Sequence, residues 1–203
     1  MNTIQEDIKQ AKSHWKQFHT DADVIGEGIK KVKPLRIIGV HGKAGSGKTT
    51  MCELITKIIG RNCKIISFAD PLKRIALSLG WEGEKDEKGR RLLQLLGTEV
   101  GRGCVAEDIW LRHYTMQLFE NRKEEIIFTD DMRFENEIAL IKEYGGTTVN
   151  LKGRSDIAKG ASGHSSEKQM PDDEFDFTIN NDGDMGKFTK SITTMLKELK
   201  WIS

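Results

Sequence analysis

Residues 42–49 read Gly42-Lys43-Ala44-Gly45-Ser46-Gly47-Lys48-Thr49 and match the pattern G-x-x-x-x-G-K-[ST] at every fixed position. An apolar stretch over residues 35–40 predicts a strand before the motif, and an amphipathic stretch over residues 50–59 predicts a helix after it. In a strand, glycine-rich loop and helix of this order, the loop N–H groups and the helix N-terminus point at phosphate. The motif therefore predicts an α/β protein with a phosphate site at this loop.

The residue types of the loop suit a nucleoside triphosphate. Glycines let the backbone approach phosphate in conformations that a Cβ would forbid. We expect Lys48 to neutralise the β- and γ-phosphate oxygens of ATP and the Thr49 hydroxyl to hold Mg²⁺. A glycine-rich turn without a ligand is the alternative, which the flanking strand and helix disfavour. The predicted ATP-binding residues are Gly42, Lys43, Ala44, Gly45, Ser46, Gly47, Lys48, Thr49 and Thr50.

Length and composition limit the other functions. The 203 residues suit one domain, with or without a small appendage. The 32 basic and 31 acidic residues favour neither a nucleic-acid nor a membrane surface. Cys52, Cys63 and Cys104 form no C-x-x-C pair, which fits a reduced intracellular protein. The sequence contains neither an apolar run of membrane-spanning length nor a signal peptide. We therefore expect a cytoplasmic protein.

The first 33 residues differ from the rest of the chain. Ile4, Ile8, Ala11, Trp15 and Phe18 alternate at spacings of four and three, which predicts one apolar helix face. We expect this helix to dock on the main domain, and a partner-binding helix is the alternative. Residues 21–33 suggest a linker. The predicted organisation is a helical extension over 1–33 and a main domain over 34–203.

Further apolar runs predict strands at residues 63–68, 125–129, 147–151 and 175–179, with helical patterns between them. Alternating strands and helices predict a parallel sheet with helices on both faces. Residues 153–173 are polar and rich in glycine and serine, which predicts a mobile loop.

Two adjacent acids, Asp130 and Asp131, close the third predicted strand. A carboxylate at this place orients Mg²⁺ in proteins with such a phosphate loop, often through water. The alternative is an aspartate that caps the next helix. Because two acids could divide these tasks, the sequence leaves the Mg²⁺ role open between them.

Five arginines fall in or beside loops predicted near the carboxyl ends of strands, the edge where open α/β sheets bind ligands. Their planar guanidinium groups match phosphate oxygens two at a time, as a phosphoryl-transfer enzyme with two nucleotide substrates requires. For any single one, a solvated surface role is the alternative. A GTPase is disfavoured because no N-K-x-D motif is present. The five are Arg90, Arg91, Arg102, Arg133 and Arg154.

Taken together, these motifs resemble the bacteriophage deoxynucleoside monophosphate kinases, within the P-loop nucleoside monophosphate kinase group. Besides the loop and Arg102, the matching blocks are FADPLK at 68–73, GRRLLQ at 89–94, LGTE at 96–99, DMRF at 131–134 with Glu137, HSSE at 164–167 and NDG at 181–183. The resemblance runs from about residue 35 to the C-terminus. It implies a P-loop NTPase three-layer sandwich with a five-stranded parallel sheet, a helical NMP-binding arm over 71–121 and a lid over 153–173.

The resemblance also implies a reaction, in which ATP and a deoxynucleoside monophosphate (dNMP) give ADP and the diphosphate with Mg²⁺, supplying dNTP synthesis. Its partners would be these small molecules, with a homodimer through the N-terminal helix or the arm as an expectation from the family. A phage-encoded protein would work in the host cytoplasm.

By motif position, the resemblance implies catalytic roles for Lys48, Arg102, Arg133, Arg154 and Asp131. Arg102 and Arg133 would clamp the acceptor phosphate, Arg154 would reach the transition state from the lid, and Asp131 aligns with the family's acid. His164 would contact substrate or cap a lid helix. The expected substrate-binding residues are Asp70, Lys73, Arg90, Arg91, Gln94, Thr98, Arg102, Arg133 and His164. Trp81, Trp110 and Tyr114 are candidates for shaping the base pocket.

Two other functions remain open from the sequence. A P-loop kinase of another phosphorylated small molecule would share this style of site, as the phosphomevalonate kinase of animals and dephospho-coenzyme A kinase do. A non-catalytic, nucleotide-gated binding module would instead use the N-terminal helix on a partner.

Overall fold

The computed structural model describes residues 4–31, 36–84, 86–153 and 170–203. In chain order, its elements are α1 (Ile4–Lys31), β1 (Arg36–His41), α2 (Lys48–Ile59), β2 (Cys63–Ile65), α3 (Asp70–Ser78), α4 (Glu87–Gln94), a π-helix (Leu95–Val105), α5 (Ile109–Glu120), β3 (Ile126–Met132), α6 (Glu135–Glu143), β4 (Thr147–Lys152), a 3-10 helix (Asp172–Glu174), β5 (Phe177–Asn180) and α7 (Met185–Glu198).

The five strands form one sheet in the order β2-β3-β1-β4-β5, and every neighbouring pair is parallel. Strand β1 lies in the middle because it is apolar on both faces, with Ile37, Ile38 and Val40 fully buried. The predicted fold class, a five-stranded parallel sheet with helices on both faces, is confirmed. The carboxyl ends of β1 and β3 lie side by side, so the residues that follow them share one edge of the sheet.

Two apolar layers cover the sheet. One contains α2, α7 and the β3 residue Phe128. The other contains α5, α6 and the neighbouring β3 residue Ile127. Thr129 follows on the α5 side, where its hydroxyl lies 2.7 Å from the Tyr114 hydroxyl. Successive side chains of a strand point to opposite faces, so this alternation sets the direction of the two acids that follow.

Helix α1 is longer than predicted, and the prediction of a linker over residues 21–33 is wrong because the helix continues to Lys31. Its apolar stripe extends through Ala22 and Ile29 toward the main domain. Gly26, which suggests a linker, is needed for close packing, since a Cβ there would lie 2.9 Å from the Tyr144 hydroxyl.

The first half of α1 is exposed. Ile4, Ile8 and Trp15 keep 78%, 48% and 36% of their surface accessible. Phe18 instead packs beside α5, where its ring is tilted against that of His113 with centroids 4.6 Å apart. The predicted docking therefore holds for the second half of the helix, and the stripe expected at its start is not covered by the described chain.

Two aromatic residues proposed for a base pocket belong to the core instead. Trp110 and Tyr114 are 5% and 0% exposed. Tyr114 stacks on Phe68 with ring centroids 4.2 Å apart. That prediction is wrong for both, because Tyr114 buries its ring against the sheet and Trp110 packs against Leu72 of α3, and each finds a polar partner inside. Trp81 is partly exposed beyond α3.

The π-helix was not predicted from sequence. It is held by the Trp110 indole, whose Nε1 donates to the Gly97 carbonyl at 2.7 Å. A Cβ at Gly101 would clash with the Trp110 ring, so the wide turn requires a glycine there. Such helices are rare and recur at functional sites. Arg102 follows Gly101 in this segment.

In the part of the chain that the structure describes, no helix is both long and apolar enough to cross a membrane.

Candidate active site

The loop between β1 and α2 forms a cradle that only glycine permits. Gly45 and Gly47 have φ angles of 77° and 104°, in the left-handed region that favours glycine. A Cβ at Gly42 would lie 2.6 Å from the Leu151 carbonyl, and one at Gly47 would clash with the Asn181 amide. The glycines are therefore fixed by geometry on both sides of the loop.

The polar groups of the cradle suit phosphate and a metal ion. Lys48 Nζ folds back over the loop and donates to the carbonyls of Gly42 at 2.7 Å and Lys43 at 3.0 Å. The Ser46 hydroxyl is buried without a hydrogen-bond partner among the described residues. Thr49 is exposed in the first turn of α2, where unpaired N–H groups attract anions.

Asn181 is a site residue that sequence reasoning did not assign. Its side chain is buried and donates from Nδ2 to the Ser46 carbonyl at 2.8 Å. The contact ties the end of β5 to the phosphate loop, so Asn181 fixes the loop's position. The signal was the NDG block at 181–183, which the resemblance included without a role.

The two acids point to opposite faces of the sheet, as the alternation along β3 requires. Both carboxylate oxygens of Asp131 accept hydrogen bonds from the backbone after β2, one from Phe68 N at 3.0 Å and the other from Ala69 N at 2.9 Å. Asp130 accepts from the Ser67 hydroxyl at 3.0 Å. It follows Phe128 by two residues and so lies on the face of the sheet that α2 covers.

The Asp131 carboxyl makes the free energy of unfolding depend on pH, in a direction that its pKa determines. Burial, with the Asp130 charge second, raises the pKa of Asp131 to about 6. Between about pH 4 and this value, the folded state keeps a proton that the unfolded chain has released. The carboxyl therefore lowers the free energy of unfolding as pH rises through that window, and its contribution is constant above it.

We expect urea unfolding to reveal this titration as a difference between wild type and Asp131→Asn. The wild-type free energy of unfolding should fall relative to that of the variant from about pH 4 to about pH 6 and then run parallel to it. If the difference in free energy of unfolding between the two proteins stays constant from pH 4 to pH 7, the raised pKa of Asp131 is contradicted.

Acceptor-side residues predicted from sequence lie beside these acids. Asp70 and Lys73 share the start of α3, with Lys73 Nζ donating to Asp70 Oδ1 at 3.0 Å. The other Asp70 oxygen accepts from Ser67 N at 3.1 Å. The Lys73 charge also acts on Asp131, where it opposes the rise in pKa. The start of α3 and the end of β3 therefore form one charged cluster.

Arg102 is engaged in a buried ion pair. Its guanidinium lies 2.5 Å from Glu137, and the two side chains are 8% and 4% exposed. It also lies over the Phe134 ring, 4.1 Å from the centroid. Glu137 accepts in addition from the backbone N–H groups of Arg133 at 2.6 Å and Phe134 at 3.2 Å. Burial raises the pKa of Glu137, and the Arg102 charge opposes that rise.

His41 links the two halves of the site, and sequence reasoning missed it. Its Nδ1 lies 2.9 Å from the Met132 carbonyl, and its ring stacks on Phe175 with centroids 5.4 Å apart. Burial lowers the pKa of His41, and the charges of Lys48 and Arg133 lower it further. The phosphate-loop lysine and the arginine after β3 therefore act on the same ring.

The other predicted residues lie on the arm or outside the described chain. Arg90, Arg91 and Gln94 are on α4, Thr98 is on the π-helix, and Arg91 lies 3.8 Å from Glu99 in an exposed ion pair. Arg154, His164 and most of the predicted lid over 153–173 fall outside the described residues.

Within the described ranges, no group of three or more His, Cys, Asp and Glu side chains is arranged to hold a metal ion. Mg²⁺ in nucleotide sites keeps several waters and uses few protein ligands beside the substrate phosphates. The exposed Thr49 hydroxyl, with Asp130 on the face of the sheet that α2 covers, fits that mode.

The sequence profile of the deoxynucleotide monophosphate kinase family matches residues 82–192, which is more than half of the chain. The chain belongs to this family. It is thus a nucleotide kinase, and the matched range contains Arg102, both acids, Arg133 and Glu137. The phosphate loop precedes the matched range.

Three solved structures described as kinases are similar to this chain at low sequence identity. The APS kinase of Mycobacterium tuberculosis in complex with AMPPNP and APS is 14% identical, with 83% of this chain and 99% of that chain covered and a TM-score of 0.45. A cysteine-to-alanine mutant of the same enzyme is 14% identical, with 82% of this chain and 99% of that chain covered and a TM-score of 0.44. A structure described as a kinase from Chloroflexus aurantiacus is 15% identical, with 82% of this chain and 98% of that chain covered and a TM-score of 0.43. No curated protein matches this member of the deoxynucleotide monophosphate kinase family by sequence.

Proposed function

We propose that the protein transfers the γ-phosphoryl group of ATP to a deoxynucleoside monophosphate, forming ADP and the diphosphate for dNTP supply. The observation that carries this proposal is the meeting of two sets of groups at the carboxyl edge of β1 and β3. The phosphate cradle follows directly after β1. The two acids lie in the last residues of β3, and Arg133 follows that strand. Both sets lie in a chain of the deoxynucleotide monophosphate kinase family.

On the ATP side, the N–H groups of the phosphate loop and the Lys48 side chain bind the phosphates of ATP. When ATP enters, we infer that Lys48 Nζ exchanges its bonds to the Gly42 and Lys43 carbonyls for β- and γ-phosphate oxygens. Thr49 and Asp130 would hold Mg²⁺, directly or through water, and the ion would neutralise charge on the phosphates. Asn181 keeps the loop in place meanwhile.

On the acceptor side, Arg133 is the group that we expect to bind the dNMP phosphate. Arg102 supports it indirectly, because Arg102 orients Glu137 and Glu137 holds the backbone N–H of Arg133. Direct clamping by Arg102, the role implied by the resemblance, would require it to leave this ion pair. Asp131 positions the chain at Phe68 and Ala69, ahead of the acceptor-side Asp70 and Lys73.

Several further roles stay predictions. Arg90, Arg91, Gln94 and Thr98 would complete the acceptor site on the arm, and Arg154 and His164 would act from the lid. A homodimer and the cytoplasm of a phage host are proposed on the family resemblance.

The test is ADP release from ATP and Mg²⁺ with each common dNMP and NMP, and with phosphorylated non-nucleotide compounds, in turn as acceptor. We expect release that depends on one or more dNMPs. If a phosphorylated non-nucleotide acceptor alone supports release, the chain is a P-loop kinase of another small molecule. If ATP binds and every acceptor is silent, the kinase proposal fails.

The placement of Asp130 leads to a separate prediction. Asp130→Asn should lower ATP-dependent turnover by roughly 10–100-fold and raise the Mg²⁺ concentration needed for half-maximal rate, because an amide is a poorer partner for the hydrated ion. Glu53→Gln is the matched control, since Glu53 is exposed on α2. Unchanged Mg²⁺ dependence in Asp130→Asn would remove Asp130 from the metal site.

A further inference from the structure

Strand β3 contains a β-bulge at the place where its acids lie. From Gly39 to His41, β1 advances by two residues. The β3 residues that pair with these two are Thr129 and Met132, so β3 advances by three residues over the same stretch. A bulge bends its strand and changes the direction of the side chains, and bulges recur beside active sites. The direction of the acids, and of Arg133 after them, therefore depends on the contacts that hold the bulge.

Met132, the last residue of β3, contacts β1 through both its side chain and its backbone. The side chain fills the space that Gly39 leaves, because a Cβ at Gly39 would lie 2.6 Å from Met132 Sδ. The Met132 carbonyl lies 2.9 Å from His41 Nδ1. A carbonyl oxygen only accepts, so the imidazole carries a hydrogen on Nδ1 and donates it. The two contacts fix the end of β3 directly after the bulge.

His41 lies where the parts of the site meet. It directly precedes Gly42, the first glycine of the phosphate loop, and the carbonyl that it binds directly precedes Arg133. Its ring is stacked on Phe175, with centroids 5.4 Å apart and an angle of 28° between the planes. This packing orients the imidazole, so Nδ1 keeps its direction toward Met132.

We propose that His41 is a positioning residue for phosphoryl transfer, whose hydrogen bond to the Met132 carbonyl aligns the end of β3 with the phosphate loop. The role rests on the proposed function, because it concerns the alignment of the two phosphates that react. His41 acts through Arg133 and the acids of β3, which follow the position of that carbonyl. Since a displacement of about 1 Å can lower a rate by roughly 10²-fold, we expect the effect in kcat more than in ATP binding.

The test compares His41→Leu with His41→Asn by steady-state kinetics and by ATP titration without acceptor. Leucine fills part of the same space and cannot donate a hydrogen bond, whereas the asparagine amide can donate from Nδ2 in place of the imidazole Nδ1. We expect His41→Leu to lower kcat by roughly 10–100-fold and to change the dissociation constant of ATP by less than about threefold. His41→Asn should recover most of the lost rate.

The matched control is His113→Leu, which removes another partly buried histidine, on α5, whose ring contacts Phe18 of α1. Its kcat should stay near that of wild type. Circular dichroism confirms that each variant is folded. A folded His41→Leu protein with the kcat of wild type would overturn the role of His41. A folded His41→Asn protein as slow as His41→Leu would do the same, because the hydrogen bond would then not be the cause.

Two further outcomes are distinct. If His41→Leu loses ATP affinity as strongly as kcat, the substitution has damaged the phosphate loop, and the positioning role is overturned. If wild type transfers phosphate to no dNMP, the proposed function itself fails, and this role fails with it.

A measurement on wild type does not depend on activity or on the folding of any variant. In protein labelled with nitrogen-15, nuclear magnetic resonance above neutral pH should show the His41 hydrogen on Nδ1. A His41 ring with its hydrogen on Nε2 would contradict the bond to Met132 and overturn the proposal.

Discussion

Replacing Lys48 by alanine is expected to lower ATP-dependent turnover by roughly 10²–10³-fold while the protein stays folded. The ammonium group is the cation that the phosphate loop itself presents to the β- and γ-phosphates. Because charge shifts toward the leaving ADP during transfer, its loss should reduce the rate of transfer more than the binding of ATP.

The matched control is Lys57→Ala, which removes an exposed lysine from the last turn of the same helix. Steady-state rates for both variants should be compared with thermal unfolding and ATP affinity. Turnover near that of wild type in a folded Lys48→Ala protein would remove Lys48 from the mechanism, and a loss shared by Lys57→Ala would point to a general defect of α2.

Replacing Glu137 by glutamine is expected to lower the free energy of unfolding by about 3–5 kcal/mol. The substitution leaves the Arg102 charge buried without its partner and weakens the acceptor of two backbone N–H groups. Domains of this kind have about 5–15 kcal/mol of stability in total, so the loss should be visible as a large shift of the urea midpoint.

Two further variants separate the ion pair from general damage. Arg102→Met with Glu137→Gln removes the uncompensated charge, so the double variant should lose less than the sum of the single losses. Glu125→Gln breaks the Arg61–Glu125 pair, whose side chains are half exposed, and should cost less than about 1 kcal/mol. If Glu137→Gln costs no more than this surface control, the pair does not hold the loop after β3.

Much of the framework follows from local patterns. The phosphate loop and the strand before it are fixed by glycine geometry and an apolar run, and the structure has both where they were expected. The opposite directions of Asp130 and Asp131 could have been read from strand alternation once Phe128 was taken as a core residue.

Other features depend on contacts between distant segments. Gly26 suggests a flexible linker from sequence, yet it is a packing position against Tyr144. Arg102 could not be assigned to an ion pair before its partner Glu137, 35 residues later in the chain, was brought beside it. The π-helix depends in the same way on the Trp110 indole.

Phosphoryl transfer between nucleotides is tested best by following the transferred phosphate itself. Wild-type protein is given Mg²⁺, ATP labelled in the γ-phosphate and the best dNMP from the acceptor screen, and the nucleotides are separated. We expect label in the deoxynucleoside diphosphate, in amounts equal to the ADP formed. Label found only in inorganic phosphate, or ADP formed without a labelled diphosphate, would contradict it.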